Sequence, residues 1–184
     1  MIKGLIMKVF VLILFVVFFS CRNENKKTEK HFNKPTKESL EQINRHLVNK
    51  DSELIKSYVD RRNWNMQTSE TGLWYMINEQ GVGEKIEKGD YVTYNYEIRL
   101  FDGTLCYSSD NLGVKSIIAG QGGVESGLEE GLLLLNKKSK ARFIMPPHLA
   151  HGLIGDENRI PARAILIYDV EILEIKSLNT QSND

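Results

Sequence analysis

Two histidines, His148 and His151, stand three residues apart in the stretch IMPPHLAHG, residues 144–152. Three chemistries are open to them: a metal site, acid–base work by imidazole, or the rim of an apolar ligand site. On a helix this spacing would turn both rings to one side, where they could share a metal. Pro146 and Pro147 favour a turn instead, because proline lacks an amide donor and fixes its own φ. No HExxH pattern, cysteine cluster or third nearby histidine accompanies the pair. No metal and no cofactor is therefore expected.

Two other stretches invite chemistry and lose it on inspection. In GQGGVESG, residues 120–127, the third glycine of a dinucleotide fingerprint would fall on Glu125, and Glu125, Glu129 and Glu130 would repel a phosphate. Ser126 lacks the G-x-S-x-G frame of a nucleophile elbow.

The elements that must position these residues follow from periodicity. Tyr91 to Leu100 alternates Val92, Tyr94, Tyr96, Ile98 and Leu100 with polar residues, the pattern of a half-buried strand, and Asp102–Gly103 turns it. Further strands are expected over Leu73–Ile77, Ser116–Ala119 and SKARFIMPP, the last with Ala141, Phe143 and Met145 on one face. RAILIYDVEILEI reads as a central strand with Leu166, Tyr168, Val170 and Ile172 inward. VESGLEEGLLLLNK reads as one short helix with Leu128, Leu132 and Leu135 on its buried side. Strands and helix in this order argue an α+β fold: an antiparallel, half-open β-sheet wrapped over one short helix. An apolar hollow between helix and sheet is the natural place for a ligand.

Before that domain, residues 36–65 carry Leu40, Ile43, Leu47, Ile55, Tyr58 and Val59 at three- and four-residue steps, which predicts an N-terminal helix with Thr36 as its cap. Its apolar stripe either packs on the domain or serves a partner. Residues 66–176 then form the domain, and residues 177–184 a polar tail.

Residues 1–20 have Lys3 and Lys8 ahead of an unbroken apolar run, Val9–Phe19, and a small Ser20. That is the layout of a secretory signal, too short to span a bilayer comfortably. Cys21 follows at once and resembles the lipidated cysteine of a bacterial lipoprotein. Acylated there, the protein would be held on a membrane of the cell envelope, facing the periplasm. Residues 21–35 are polar and charged, a tether. Cys106 is then left without a disulfide partner. Lys plus Arg and Asp plus Glu number 24 each, so a nucleic-acid partner, which needs a basic surplus, is not expected.

From Gly83 to Ile175 the chain resembles the FKBP-type peptidyl-prolyl cis–trans isomerases. KGDYVTYNYEIRLFDGTLCYSS looks like the family's G-D-x-V-x-V-x-Y-x-G-x-L-x-D-G-x-x-F-D-S-S. GQGGVESGLEEGL looks like G-x-x-x-V-I-x-G-W-x-E-G-L, IMPPHLAHG like I-P-P-x-L-A-Y-G, and RIPARAILIYDVEILEI like I-P-x-x-A-x-L-I-F-D-V-E-L-L-x-I. The four blocks keep the family's order. The resemblance implies an isomerase of X–Pro bonds, with Tyr96, Val124, Ile160 and Tyr168 on pocket positions. His151 stands where the family has a tyrosine whose hydroxyl bonds a substrate carbonyl, and its ring N–H is expected to replace that group. Cys106 and Tyr107 stand for the family's F-D, Glu125 for an Ile and Leu128 for the floor Trp. These substitutions imply an aliphatic floor and the loss of a buried carboxylate. Leader, tether, helix and GLWYMINEQ together are similar to the FKBP-like lipoproteins associated with gliding motility. The implied partners are proline-containing exported polypeptides, the membrane, and a motility or secretion machinery.

Overall fold

The computed structural model describes residues 36–177. The leader at 1–20, Cys21, the tether at 21–35 and the tail past Ser177 lie outside the described residues.

Helix α1, Lys37–Arg61, comes first, followed by strands β1 (Gln67–Thr68), β2 (Trp74–Glu79), β3 (Val82–Lys85), β4 (Tyr91–Leu100) and β5 (Leu105–Ser108). A short helix α2 (Ser109–Leu112), strand β6 (Lys115–Ile118) and helix α3 (Ser126–Leu132) lead to β7 (Asn136–Lys137) and β8 (Lys140–Met145). One 3-10 turn, Pro147–Leu149, and strand β9 (Leu166–Lys176) complete the domain. The main sheet has the order β1-β2-β8-β9-β4-β5, and its pairings are antiparallel. β4 meets β6 through its first half and β5 through its second, so one long strand serves two short edge strands. β3 and β7 form a separate two-stranded sheet.

The inward faces are the expected ones. Val92, Tyr94, Tyr96 and Ile98 of β4, Ala141, Phe143 and Met145 of β8, and Leu166, Tyr168, Val170 and Ile172 of β9 are buried in one cluster. α3 lies on that face through Leu128 and Leu132, with Leu135 just beyond it. Gly131 permits the approach: a Cβ there would come within 2.7 Å of the Phe143 ring.

Alternation fails at Ile144 and Ile167, which face the other side of the sheet and are also buried. The reason is α1. Its C-terminal half sets Ile55, Tyr58 and Val59 over Ile144, Ile165 and Ile167 in a second core. Tyr58 stacks on Phe101 at 4.2 Å, and the Arg62 guanidinium lies 3.4 Å from the centre of the Tyr58 ring. Burying each such side chain stabilises the dock by about 1.5–3 kcal/mol. The stripe expected along the whole helix is used only in part: Leu40 and Ile43 stay exposed, so packing stops near Asp51.

Beyond α1 the outer face of the sheet turns polar. Arg142 and Asp169, opposite each other on β8 and β9, form a two-point pair at 2.6 and 2.9 Å. Among the described residues no helix is long and apolar enough to cross a membrane.

Candidate active site

Strand β4 places Tyr96 inward, and a serine fixes it there. The Ser109 hydroxyl accepts the Tyr96 amide at 2.7 Å and lies 3.3 Å from the Tyr96 carbonyl, extending the ladder past the end of β5. Tyr96, Leu128, Ile160 and Tyr168 are all buried and belong to one cluster, with Val124, Tyr107 and Ala150 half-buried against it. Residues from β4, β5, α3, β9 and two loops, far apart in sequence, thus converge.

The loop ahead of α3 is drawn back onto the helix. The Gly122 amide donates to Glu129 across 2.7 Å. Glu129, read from the sequence as a deterrent to phosphate, is here a fastener for the segment carrying Val124 and Glu125.

The place of the carboxylate implied as lost is taken by Tyr107, and Glu125 sets another carboxylate at the edge of the cluster, its side chain only 11% exposed. The Tyr168 hydroxyl donates to its Oε1 at 2.6 Å, and His151 Nε2 lies 2.8 Å from the same oxygen. His151 was expected to offer its ring N–H in place of a tyrosine hydroxyl. Here the Nε2 of that ring faces Glu125. Burial first, then the Glu125 charge and hydrogen bond, push the Tyr168 hydroxyl far above its ordinary range. Tyr94, beside Tyr96 on the same face, is pushed up by burial and by the same charge.

A second polar knot holds the opposite wall. The Asp156 carboxylate accepts the amides of Asn158 at 2.9 Å and Ile160 at 2.7 Å. It also accepts the Tyr107 hydroxyl. Burial alone would favour the neutral acid, but these donors, with His151 nearby, outweigh it and hold Asp156 below the usual carboxylate range. Gly155 makes the bend: its φ is +81°, and a Cβ would sit 2.2 Å from the Ile160 carbonyl oxygen.

Cys106 is 1% exposed, and its carbonyl accepts the Arg159 guanidinium at 2.7 Å. Burial, chiefly, pushes its thiol up, so it stays protonated and acts as core. His148 and His151 face different partners, since His148 Nε2 lies 3.0 Å from the Thr71 carbonyl oxygen. The pair therefore does not share a site. The sequence marks Tyr94 only as an inward strand residue and gives Asp156 no site role. Only the position of Asp156 four residues before Ile160, in GDENRI, hinted at a loop that caps its own amides.

Chemically the arrangement is an apolar, aromatic-walled cluster with two carboxylates at its edges, Glu125 and Asp156. It holds no activated nucleophile. It suits binding by shape and desolvation.

Comparison with known proteins places this geometry. The family model described as FKBP-type peptidyl-prolyl cis-trans isomerase matches residues 82–173. Over 92 residues, half of this chain, there is 41% identity with "Peptidyl-prolyl cis-trans isomerase FKBP9" of Mus musculus, and that match spans 16% of the relative. "FKBP-type peptidyl-prolyl cis-trans isomerase FkpA" of Buchnera aphidicola subsp. Schizaphis graminum is 32% identical over 154 residues, 83% of this chain and 60% of the relative. The crystal structure of FkpA from Escherichia coli superposes with a TM-score of 0.62 at 30% identity, covering 76% of this chain and 65% of that one. The chain thus spans about a sixth of the first of these relatives and three fifths of the second.

Proposed function

The chain belongs to the FKBP-type peptidyl-prolyl cis–trans isomerase family, and from that premise we propose that it isomerises X–Pro bonds in exported polypeptides while anchored to a membrane through a lipidated Cys21. The observation that carries the reading is the convergence of Tyr96, Leu128, Ile160 and Tyr168 into one buried cluster.

Such a site needs no covalent step. The barrier to amide rotation is about 18–20 kcal/mol because the planar amide is resonance-stabilised. Planarity makes the amide dipolar, and water favours that dipole. An apolar cup removes the water and disfavours the planar form. A twisted amide has less charge separation and is held better by the same walls. Interactions stronger in the twisted state than in the planar one lower the barrier. In this chain Tyr96, Tyr168 and Leu128 supply apolar surface, Ile160 and Val124 close the sides, and the Asp156 knot keeps Ile160 in place.

An isomerisation assay on an X–Pro peptide tests the activity, and a rate equal to the uncatalysed one at micromolar protein would overturn it. The anchoring rests on the leader and Cys21. Fractionation of cells expressing the wild type and Cys21→Ala tests it: the wild type sediments with envelope membranes, and the variant is released.

A second reading is favoured by Leu40, Ile43 and Leu54, which leave an apolar stripe of α1 exposed. The protein would then act as a chaperone or assembly factor for a membrane-associated machine, including a gliding-motility or secretion apparatus. Capture from cells with and without residues 36–50 separates the two. A partner lost with that segment, in a chain that still isomerises peptides, supports both roles together.

A further inference from the structure

The site contains a charge that an apolar proline cup does not require. Glu125 stands between half-buried Val124 and the start of α3, in contact with the apolar cluster through Tyr168. Its partners are a tyrosine hydroxyl and an imidazole nitrogen, which share Oε1. Among the described residues the arginines and lysines in ion pairs take Glu41, Asp60, Glu97, Glu79, Asp169, Asp51 and Glu174, and none takes Glu125.

A second observation stands beside it. The Tyr94 hydroxyl is fully buried and, among the described residues, has no hydrogen-bond partner. Tyr94 shares the inner face of β4 with Tyr96, their ring centres 6.2 Å apart. Buried hydroxyls are nearly always satisfied in folded proteins, so an orphan marks a place where a water or a ligand group completes the bonding. Next to an apolar wall a carboxylate acts through a lower effective dielectric than at the surface. It attracts a cation and repels an anion, and the second effect adds to the discrimination as much as the first.

We propose that Glu125 selects substrates with a lysine or arginine next to the proline, its carboxylate receiving the cation while the apolar cluster takes the prolyl ring. This deepens the isomerase reading and rests on it. The aliphatic stem of either residue suits the half-buried rim at Val124, and the charged head brings a lysine or arginine cation to a carboxylate that the chain itself faces only with the His151 ring and a tyrosine hydroxyl. An acidic neighbour of proline is the disfavoured substrate.

The test uses the full chain and three peptide series with lysine, leucine or glutamate flanking the proline, before it in one set and after it in another. Isomerisation is followed by NMR exchange, which needs no coupling protease. In at least one set lysine is expected to exceed leucine about five- to tenfold in kcat/KM, and glutamate to fall below leucine. Glu125→Gln compresses the series to about a twofold spread, and added salt shrinks the wild-type preference without any substitution. The salt arm decides should the variant fail to fold. An order of leucine at or above lysine in both sets, or a lysine preference that survives Glu125→Gln and salt, overturns the proposal. Should no peptide be isomerised, the isomerase reading falls, and titration of the same peptides still decides on Glu125: tighter binding of the lysine peptides supports it, equal binding overturns it.

Discussion

Arg163 reaches from the loop behind Ile160 to Asp51 of α1, guanidinium to carboxylate at 2.8 Å. The same residue donates its amide to the Gly152 carbonyl, next to His151, and adopts a left-handed φ of +59° to do both. The added helix is thereby tied to the loop that carries one wall of the site.

The two halves of this pair should not be equal in cost. Asp51 is 11% exposed at its side chain and Arg163 33%. Arg163→Met strands a nearly buried carboxylate, whereas Asp51→Asn leaves an arginine able to turn towards water. Urea unfolding should show a loss of about 2 kcal/mol for the first and about 1 kcal/mol for the second. Equal losses would mean that the ion pair is not what fastens the helix.

Gly131 and Gly155 should fail in different ways. Gly131→Ala forces a methyl group against Phe143 in the main core, and overpacking of this kind costs about 1–3 kcal/mol, visible as a lower thermal midpoint. Gly155→Ala strains a surface loop, so it should speed amide exchange at Asn158 and Ile160 and raise KM with a smaller change in midpoint.

The Asp156 knot has a pH signature. Its carboxyl is held below the usual range in the fold, so its stabilising contribution is present above the unfolded value of about 3.9 and is lost as pH falls through the lower, folded value. Tyr107→Phe removes one donor. Carboxyl NMR titration should then show Asp156 protonating at a higher pH than in the wild type, with the 156–160 loop loosening over the same range. An unchanged titration would show that the backbone amides alone hold it.

Tyr94 and Tyr168 should be silent in an alkaline titration of the folded protein. Burial, then the Glu125 charge, raises both above the unfolded value of about 10. The stability tied to their protons is complete below that value and declines as pH rises beyond it. Of the seven tyrosines, these two should add their tyrosinate absorbance near 295 nm only as the fold opens. Early ionisation of either would contradict the burial described.

Much of the fold was legible because short-range patterns carry it. β4 alternates over its whole length, and four of its inward residues are buried as the pattern requires. The spacing of Leu128 and Leu132 was enough to orient α3. The pattern gave no warning at Ile144 and Ile167, because a strand cannot record which helix will cover its second face. It also overstated α1, where apolar residues repeat along the helix but the surface beneath ends.

For the site, residue order set which side chains were available and, through the four ordered family blocks, which of them belong near one another. It fixed the apolar walls, since Tyr96, Ile160 and Tyr168 lie on inward positions of regular elements or their immediate flanks. Tertiary structure alone decided the polar bonding. Glu125 meets residues 26 and 43 positions away, and Asp156 meets one 49 positions away. A carboxylate at a helix start reads as solvated from local sequence. Only the packing of loop against strand covers it there and sets it against the Tyr168 hydroxyl and the His151 ring.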